Sequence, residues 1–274
     1  MVSIQAGAAI AKSLFPVLTP EGTTALRLAI ATGVLLLVLR PWRDLRWLRE
    51  PGAMRELLLY GATLGTMNLL FYIALRGIPL GVCVAIEFLG PLGVAVWNSR
   101  RASDFAWVVL AVAGLALLLP WTPSATPLPL GPVLAALGAG ASWALYIVFG
   151  QRLGRVAPGH GASTVALGMI VATIVAAPVG VATAGAALLD SRWWPAAFAV
   201  AVLSSAIPYP LEMSALQRLP ARTFGILMSL EPAVAALAGV IVLGEWLAAT
   251  QWFAIASIIA ASAGAATAAG RENR

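Results

Sequence analysis

Residues 79–98 read PLGVCVAIEFLGPLGVAVWN, and this stretch decides the fold class. Its one charged residue, Glu87, lies at the middle, and its length matches the roughly 20 residues that a helix needs to cross a bilayer. The rest of the 274-residue chain is similar: 61% of its residues are hydrophobic, 10% are charged and the mean hydropathy is +0.91. A soluble domain carries roughly 45–50% apolar and about 25% charged residues. The sequence therefore predicts an integral membrane protein.

Further apolar runs of this kind follow one another along the chain, separated by Pro, Gly and Arg residues. Together they predict an all-α integral membrane protein with ten transmembrane helices, of which the first is short at its N-terminal end. The predicted runs are 2–17, 22–39, 56–75, 79–98, 104–121, 129–150, 161–184, 193–213, 224–243 and 249–268.

The arginines of the predicted loops alternate between the two sides of the membrane. Thirteen lie in the loops after the even-numbered runs and in the C-terminal tail, whereas the opposite loops hold only Arg76 and Arg192. Loops rich in Lys and Arg stay in the cytoplasm. We therefore expect a multi-pass membrane protein with both termini in the cytoplasm. The net charge of +6 is explained by these loops and needs no nucleic-acid partner.

The two halves of the chain are related by a constant offset of 141 positions. Three pairs share this offset: Ala74-Leu75-x-x-Ile78-Pro79 with Ala215-Leu216-x-x-Leu219-Pro220, Pro91 with Pro232, and Ala31-Thr32 with Ala172-Thr173. Each half holds five runs, an odd number, so the halves insert with opposite orientations. The sequence thus predicts two inverted five-helix repeats, 1–121 and 129–268, followed by a cytoplasmic tail, 269–274. Inverted repeats are common in secondary transporters.

Two glutamates lie near the middle of repeat-related runs. An ionisable residue inside a span costs about 2.5–3.5 kcal/mol on insertion scales, and such residues line cavities or pair with one another. Position 87 plus the offset is Met228, about one helical turn from Glu231. Pro91 and Pro232 predict helix breaks, because neither can donate to the carbonyl four residues before it. An acid beside an unpaired carbonyl suits an ammonium group or a proton; a packing kink with a paired carboxylate is the alternative.

Three other ionisable residues lie inside the predicted spans. Lys12 and Arg27 lie toward the outer ends of the first two, where they could hold a substrate carboxylate or pair with the glutamates. Snorkelling to the interface explains both equally well. Glu212 lies near the cytoplasmic end of the eighth span, close in sequence to Arg218, and is a candidate gate or structural ion pair.

Polar and aromatic residues at membrane depth are candidates for a cavity wall. Pockets for small solutes combine aromatic walls with a few polar groups, although helix packing explains each residue taken singly. The candidates are Asn68, Tyr72, Trp143, Tyr146 and Tyr209.

The sequence lacks the motifs of several enzyme classes. It contains no Walker A motif, no HExxH zinc motif and no GxSxG nucleophile elbow, and Cys83 is its only cysteine. We therefore expect no enzyme activity, no cofactor and no metal. Energy for transport would come from an ion or solute gradient.

Short motifs spread over nearly the whole chain resemble a known family. They are SIQAG (3–7), KSLFP (12–16), TALRL (24–28), EFLGPL (87–92), LGAGA (137–141), GQR (150–152), RLPAR (218–222), MSLEPA (228–233) and LGE (243–245). Together they resemble the EamA type of the drug/metabolite transporter superfamily, in particular its bacterial threonine/homoserine exporters. The resemblance implies export of small neutral amino acids by proton antiport. It also implies that Lys12, Arg27, Glu87 and Glu231 lie in the motifs of the family.

The leading hypothesis is a proton-coupled exporter whose zwitterionic amino acid sits between the two halves. The ammonium would face Glu87 or Glu231, and the carboxylate would face Arg27 or Lys12. The first alternative is a carrier of another metabolite, an amine or a drug on the same fold. A membrane-embedded enzyme or a sensor is a further alternative, against which the missing catalytic motifs and the missing soluble domain both argue. The oligomeric state stays open.

Overall fold

The computed structural model describes residues 1–43, 45–97, 106–107, 109–111, 113–114, 117, 128–212 and 228–272, and this part of the chain is helical without β-strands. Most of the fifth predicted run, 104–121, lies outside the described residues, as does Arg218. The main helices are α1 (Val2–Leu18), α2 (Pro20–Leu39), α3 (Ala53–Leu75), α4 (Leu80–Glu87), α5 (Leu89–Trp97), α6 (Leu130–Val156), α7 (Gly161–Ala184), α8 (Trp194–Ala201), α9 (Glu231–Leu243) and α10 (Ala249–Glu272).

Five helical segments of the described chain are long and apolar enough to cross a membrane: Pro20–Leu39, Ala53–Leu75, Leu130–Val156, Gly161–Leu189 and Ser191–Glu212. Shorter apolar helices are Val2–Leu18, Leu80–Val94, Glu231–Leu243 and Ala249–Ala261. Each of these segments overlaps one of the predicted apolar runs. The prediction of an all-helical membrane protein is therefore confirmed.

The chain reverses between α1 and α2 at a single residue, Thr19. Its side chain accepts a hydrogen bond from the Gly22 backbone N–H at 3.1 Å, and its own N–H donates to the Phe15 carbonyl at 3.0 Å. Pro20 starts α2 at a position where a missing N–H costs nothing. These short-range bonds satisfy helix ends that would otherwise leave unpaired groups.

The helix breaks lie at the two predicted prolines. Helix α4 ends at Glu87 and α5 begins at Leu89, whereas α9 begins at Glu231 with Pro232 in its first turn. The Glu87 carbonyl, which Pro91 leaves without a helical donor, lies against the backbone of α6. A Cβ built on Gly140 would come within 2.7 Å of that carbonyl oxygen. The free carbonyl therefore contributes to close helix packing, and the expectation that it serves an ammonium group is not supported.

A wide turn of π-helix, Val202–Ala206, continues α8. Its signature bond runs from the Ile207 N–H to the Val202 carbonyl at 3.1 Å, five residues back. Such turns insert one extra residue into a helix and are frequent at functional sites. Helix α1 packs closely on this turn, because a Cβ on Gly7 would lie 2.8 Å from the Ser204 Cβ.

Helices related by the offset of 141 pack against each other. Helix α2 packs on α7, and α4 packs on α9. A hydrogen bond of 2.8 Å between the hydroxyls of Thr32 and Thr173 joins α2 to α7 at residues that differ by 141 positions. Helix α6 packs against both α3 and α4, and α1 packs against α9. This arrangement leaves a space among α1, α2, α3, α4, α6 and α9.

Candidate functional site

A cavity of ≈ 70 Å³ lies in this space. One water needs about 10–15 Å³ on the same scale, so the cavity has room for several waters or one small solute. Its polar and aromatic lining is Gln5, Arg27, Asn68, Phe71, Tyr72, Glu87, Trp143, Tyr146, Ser204, Tyr209, Glu212 and Glu231. Ile4, Ala8, Met67, Val84 and Met228 complete the wall.

Arg27 is held in one orientation by three neighbours. Its Nη1 donates to the Ser204 hydroxyl at 3.2 Å, and its Nη2 donates to the Asn68 amide oxygen. The guanidinium lies over the Tyr72 ring, 4.7 Å from the ring centre. Arg27 is only 3% exposed, yet its Nε has no hydrogen-bond partner among the described residues. The side chain is thus fixed, and its Nε–H is left for another acceptor.

Asn68 is itself fixed by its neighbours, which determines where its oxygen points. Its amide nitrogen donates to the Leu64 carbonyl at 2.8 Å and to the Tyr209 hydroxyl at 3.1 Å. With both amide hydrogens in use, the amide oxygen is left to face Arg27. Asn68 and Tyr209 also differ by 141 positions, so they form a second contact between repeat-related residues.

Three carboxyl groups line the cavity against the single guanidinium of the described lining. Glu231 is 4% exposed and accepts a hydrogen bond at 3.2 Å from the Gln5 amide nitrogen through one of its oxygens. Glu87 is 7% exposed, and none of the described residues donates a hydrogen bond to its carboxyl group. Glu212, which follows the π-helical turn in the chain, is the third carboxyl group of the lining. The carboxyl groups make the cavity suited to a cation or to protons.

Unpaired hydrogen-bonding groups are concentrated in this cavity. Seven buried side-chain atoms of the described residues have no hydrogen-bond partner, and four of the seven belong to lining residues. The four are Arg27 Nε, Tyr72 Oη, Gln5 Oε1 and Glu231 Oε2. Buried polar groups in proteins are almost always paired. Two atoms that can donate and two that accept, within one small cavity, therefore indicate a binding site for a polar solute.

Aromatic side chains form another part of the wall. The Tyr146 ring stacks on the Tyr60 ring at 4.9 Å between centres, and their hydroxyls are 3.3 Å apart. Trp143 meets Phe88 edge to face at 5.4 Å. These contacts hold the aromatic side chains in place without using up the polar groups near Arg27.

Comparison with known proteins identifies the family. Residues 130–267 match the EamA-like transporter family. The whole chain is 50% identical to "Threonine/homoserine exporter RhtA" of Escherichia coli (strain K12), over 100% of this chain and 91% of that protein. The chain belongs to the EamA-like transporter family. The RhtA protein of Salmonella typhimurium (strain SL1344) is 52% identical, over 99% of this chain and 90% of the relative.

The fold of this EamA-like transporter is also found in a crystal structure of a distant protein. That structure superimposes with a TM-score of 0.62 over 98% of both chains, at 20% sequence identity. At this identity the similarity concerns the fold alone.

Most site residues predicted from the sequence of this EamA-like transporter meet in one place. Arg27, Glu87, Glu212 and Glu231 all line the cavity, together with the predicted wall residues Asn68, Tyr72, Trp143, Tyr146 and Tyr209. The prediction grouped them by charge and membrane depth. The packing of α1, α2, α3, α4, α6 and α9 with the C-terminal part of the segment Ser191–Glu212 brings them together.

Lys12 is the predicted site residue that lies apart from the cavity. Its Nζ is 2.5 Å from one oxygen of Glu245 and donates to the Ile78 carbonyl at 3.2 Å. The other oxygen of Glu245 accepts a hydrogen bond from the Leu80 N–H, the first of α4, at 2.8 Å. Lys12 thus has an ion-pair partner, but a different one from the mid-span glutamates.

Gln5 and Ser204 are lining residues that sequence reasoning did not single out. Gln5 had a usable signal, because an amide side chain inside the apolar run of α1 needs a partner at membrane depth. Ser204 had none, since small hydroxyl residues are common in membrane helices and nothing in the stretch VLSSA (202–206) predicts a π-helical turn.

Proposed function

We propose that this chain exports small neutral amino acids, threonine and homoserine among them, across the bacterial inner membrane. The observation that carries the proposal is the cavity, which combines one fixed guanidinium with buried carboxyl groups. A zwitterionic amino acid offers the complementary charges in a molecule small enough for this space. The two RhtA relatives, at 50% and 52% identity, support threonine and homoserine as the cargo.

The unpaired atoms suggest how the amino acid binds. Its carboxylate accepts hydrogen bonds from Arg27 Nε and from the Tyr72 hydroxyl, which are neighbours because the guanidinium lies over the Tyr72 ring. Its ammonium donates to the free oxygen of Glu231 and to Glu87. Ser204 and Asn68 already orient Arg27, so substrate binding costs little side-chain conformational entropy at this residue.

The proposed architecture is ten membrane spans in two inverted repeats, 1–121 and 129–268, with the tail 269–274 and both termini in the cytoplasm. Contacts between residues 141 positions apart support it, at Thr32 with Thr173 and at Asn68 with Tyr209. Residues related by a two-fold axis touch each other only near that axis. The Asn68–Tyr209 contact would then bring the axis to the wall of the cavity, where inverted-repeat transporters bind their substrates.

Proton antiport is the proposed source of energy. The chain has no nucleotide-binding motif, and Glu87 is buried in the cavity without a hydrogen-bond donor among the described residues. A glutamate that takes up a proton on one side of the membrane and releases it on the other would couple proton entry to amino-acid export.

Counterflow in liposomes tests the function. The purified protein is reconstituted into vesicles loaded with unlabelled threonine, and uptake of labelled threonine is followed with and without an imposed pH gradient. We expect rapid exchange, competition by homoserine, and acceleration of net threonine movement by the pH gradient. Arg27→Met serves as the control, since it removes the proposed carboxylate donor. Exchange of an amine or drug but of no amino acid would instead establish the alternative carrier function.

A further inference from the structure

The side-chain amide of Gln5 has one nitrogen and one oxygen, and among the described residues only the nitrogen has a hydrogen-bond partner. The residue lies in α1, is 2% exposed and lines the cavity. Its amide nitrogen donates to Glu231 Oε1 at 3.2 Å, which orients the side chain, since the amide oxygen would repel the carboxylate. The amide oxygen is consequently turned away from Glu231 and has no partner among the described residues.

Matching donors to acceptors leaves this oxygen for the side chain of the substrate. In the proposed binding mode, Arg27 Nε and Tyr72 Oη donate to the carboxylate, whereas the three N–H groups of the ammonium donate to Glu231 Oε2 and to the two oxygens of Glu87. Every amino acid has these two groups, so those contacts cannot distinguish one amino acid from another. Gln5 Oε1 is the fourth unpaired lining atom and needs a donor that only some side chains carry.

We infer that Gln5 is a specificity-determining residue, whose Oε1 accepts the hydroxyl hydrogen of a hydroxyl-bearing amino acid. The inference rests on the proposed function and adds the residue that selects among its substrates. A substrate with a methyl group in place of the hydroxyl leaves the buried Oε1 of Gln5 unpaired. Sites built to bond a hydroxyl reject the analogue that lacks it much more strongly than apolar pockets reject an extra or missing methylene.

The test compares threonine with valine, which replaces the hydroxyl by a methyl group of similar size. Initial rates of uptake for both are measured in the same liposomes for the wild type and for Gln5→Met, which keeps the length of the side chain but has no amide oxygen. We expect the wild type to prefer threonine, and Gln5→Met to reduce the threonine-to-valine ratio by about tenfold or more.

Two variants separate specificity from a supporting role. Ser3→Ala changes a polar residue of the same helix that donates to the Leu203 carbonyl at 2.5 Å outside the cavity lining, and it should leave the ratio unchanged. Gln5→Glu keeps an acceptor oxygen and loses the amide donor to Glu231. It should slow uptake of both amino acids and preserve the ratio.

The outcomes distinguish this inference from the proposed function. If Gln5→Met slows threonine and valine equally, Gln5 merely orients Glu231 and the inference is wrong. A wild type that transports valine as fast as threonine also overturns it, and this result needs no variant to fold. If the wild type transports neither amino acid, the proposed function itself fails. Where Gln5→Met is not recovered from membranes, Gln5→Leu, which also lacks the amide oxygen, decides by the same ratio.

Discussion

Glu87 and Glu231 share a cavity but differ in how firmly their carboxyl groups are held. Glu231 accepts a hydrogen bond from Gln5, whereas none of the described residues donates one to the carboxyl group of Glu87. A carboxyl group without a fixed donor can gain or lose a proton with little rearrangement of its neighbours. Glu87 is therefore the better candidate for the proton carrier, and Glu231 for the fixed contact to the ammonium.

This difference predicts separate effects of Glu87→Gln and Glu231→Gln. Glu87→Gln keeps the shape of the side chain and an oxygen that can accept from the ammonium, but it cannot carry a proton. Some threonine exchange should therefore persist, while its acceleration by a pH gradient is abolished. Glu231→Gln should weaken exchange itself, because a charge-assisted bond to the ammonium is lost. Both are measured in the liposome assay, with Glu50→Gln on the exposed surface as the control. Undiminished pH-driven uptake by Glu87→Gln would contradict the assignment.

Some site residues could be predicted from the sequence because they carry a charge inside an apolar run, whereas others could not be predicted. Glu87, Glu231 and Arg27 stand out because a charge within an apolar run is costly unless it faces a cavity or a partner. Glu245, the partner of Lys12, follows Gly244 at the end of an apolar run. A charge there costs little free energy of insertion, so its position does not indicate a site. The pairing of Lys12 with Glu245 depends on how α1 meets the end of α9, which no sequence spacing encodes.

Helix α5 lies so close to α6 that only glycine fits at their contact. A Cβ on Gly90 would lie 1.9 Å from the Gly140 carbonyl oxygen, well inside van der Waals contact with backbone that cannot rotate away. Gly93, one turn along the same helix, has none of the described residues within 4 Å of its Cβ position. Substitutions at Gly90 and Gly93 therefore test whether the close contact between α5 and α6 contributes to stability.

We expect Gly90→Ala to separate α5 from α6 and destabilise the protein by about 1–3 kcal/mol or more. Gly93→Ala should be neutral or slightly stabilising, because alanine is the better helix former. Thermal unfolding of both variants in detergent, beside the wild type, measures the difference. Equal melting temperatures for the two would show that the close approach at Gly90 is not required.

The elements themselves were largely predictable, because apolar runs of span length and prolines within them act locally. The runs predicted the helices, and Pro91 and Pro232 predicted the breaks. The π-helical turn at Val202–Ala206 was not predictable, since its five residues contain neither Pro nor Gly. It arises where Gly7 lets α1 approach Ser204, a contact between residues nearly 200 positions apart.

At the scale of the whole molecule, the contact between Thr32 and Thr173 lies where the proposed two-fold axis crosses α2 and α7. Points near such an axis move least when one half rotates against the other. A second contact joins Thr19, the residue before α2, to Thr183 of α7 at 3.2 Å, and the offset does not relate these two residues. This second contact lies away from the axis.

We expect a disulfide at the axis to be tolerated and one away from it to be inhibitory. Thr32→Cys with Thr173→Cys, and separately Thr19→Cys with Thr183→Cys, are made in a Cys83→Ala background and oxidised. The hydroxyls are 2.8 Å apart in the first pair and 3.2 Å apart in the second, so the side chains that the cysteines replace already touch in both pairs. Threonine exchange is then measured before and after reduction, so that each variant is its own control. Equal inhibition of both pairs would argue against rotation about this axis.

Proton antiport through the carboxyl groups of the cavity, as proposed, would have an electrical consequence. A zwitterion carries no net charge, so a cycle that exports one amino acid and admits one proton moves one positive charge inward. The membrane voltage then drives the cycle as directly as the pH difference does, by about 2.3 kcal/mol for each charge and each 100 mV. Such an exporter is electrogenic, and its turnover should respond to the membrane voltage even when the pH is equal on both sides.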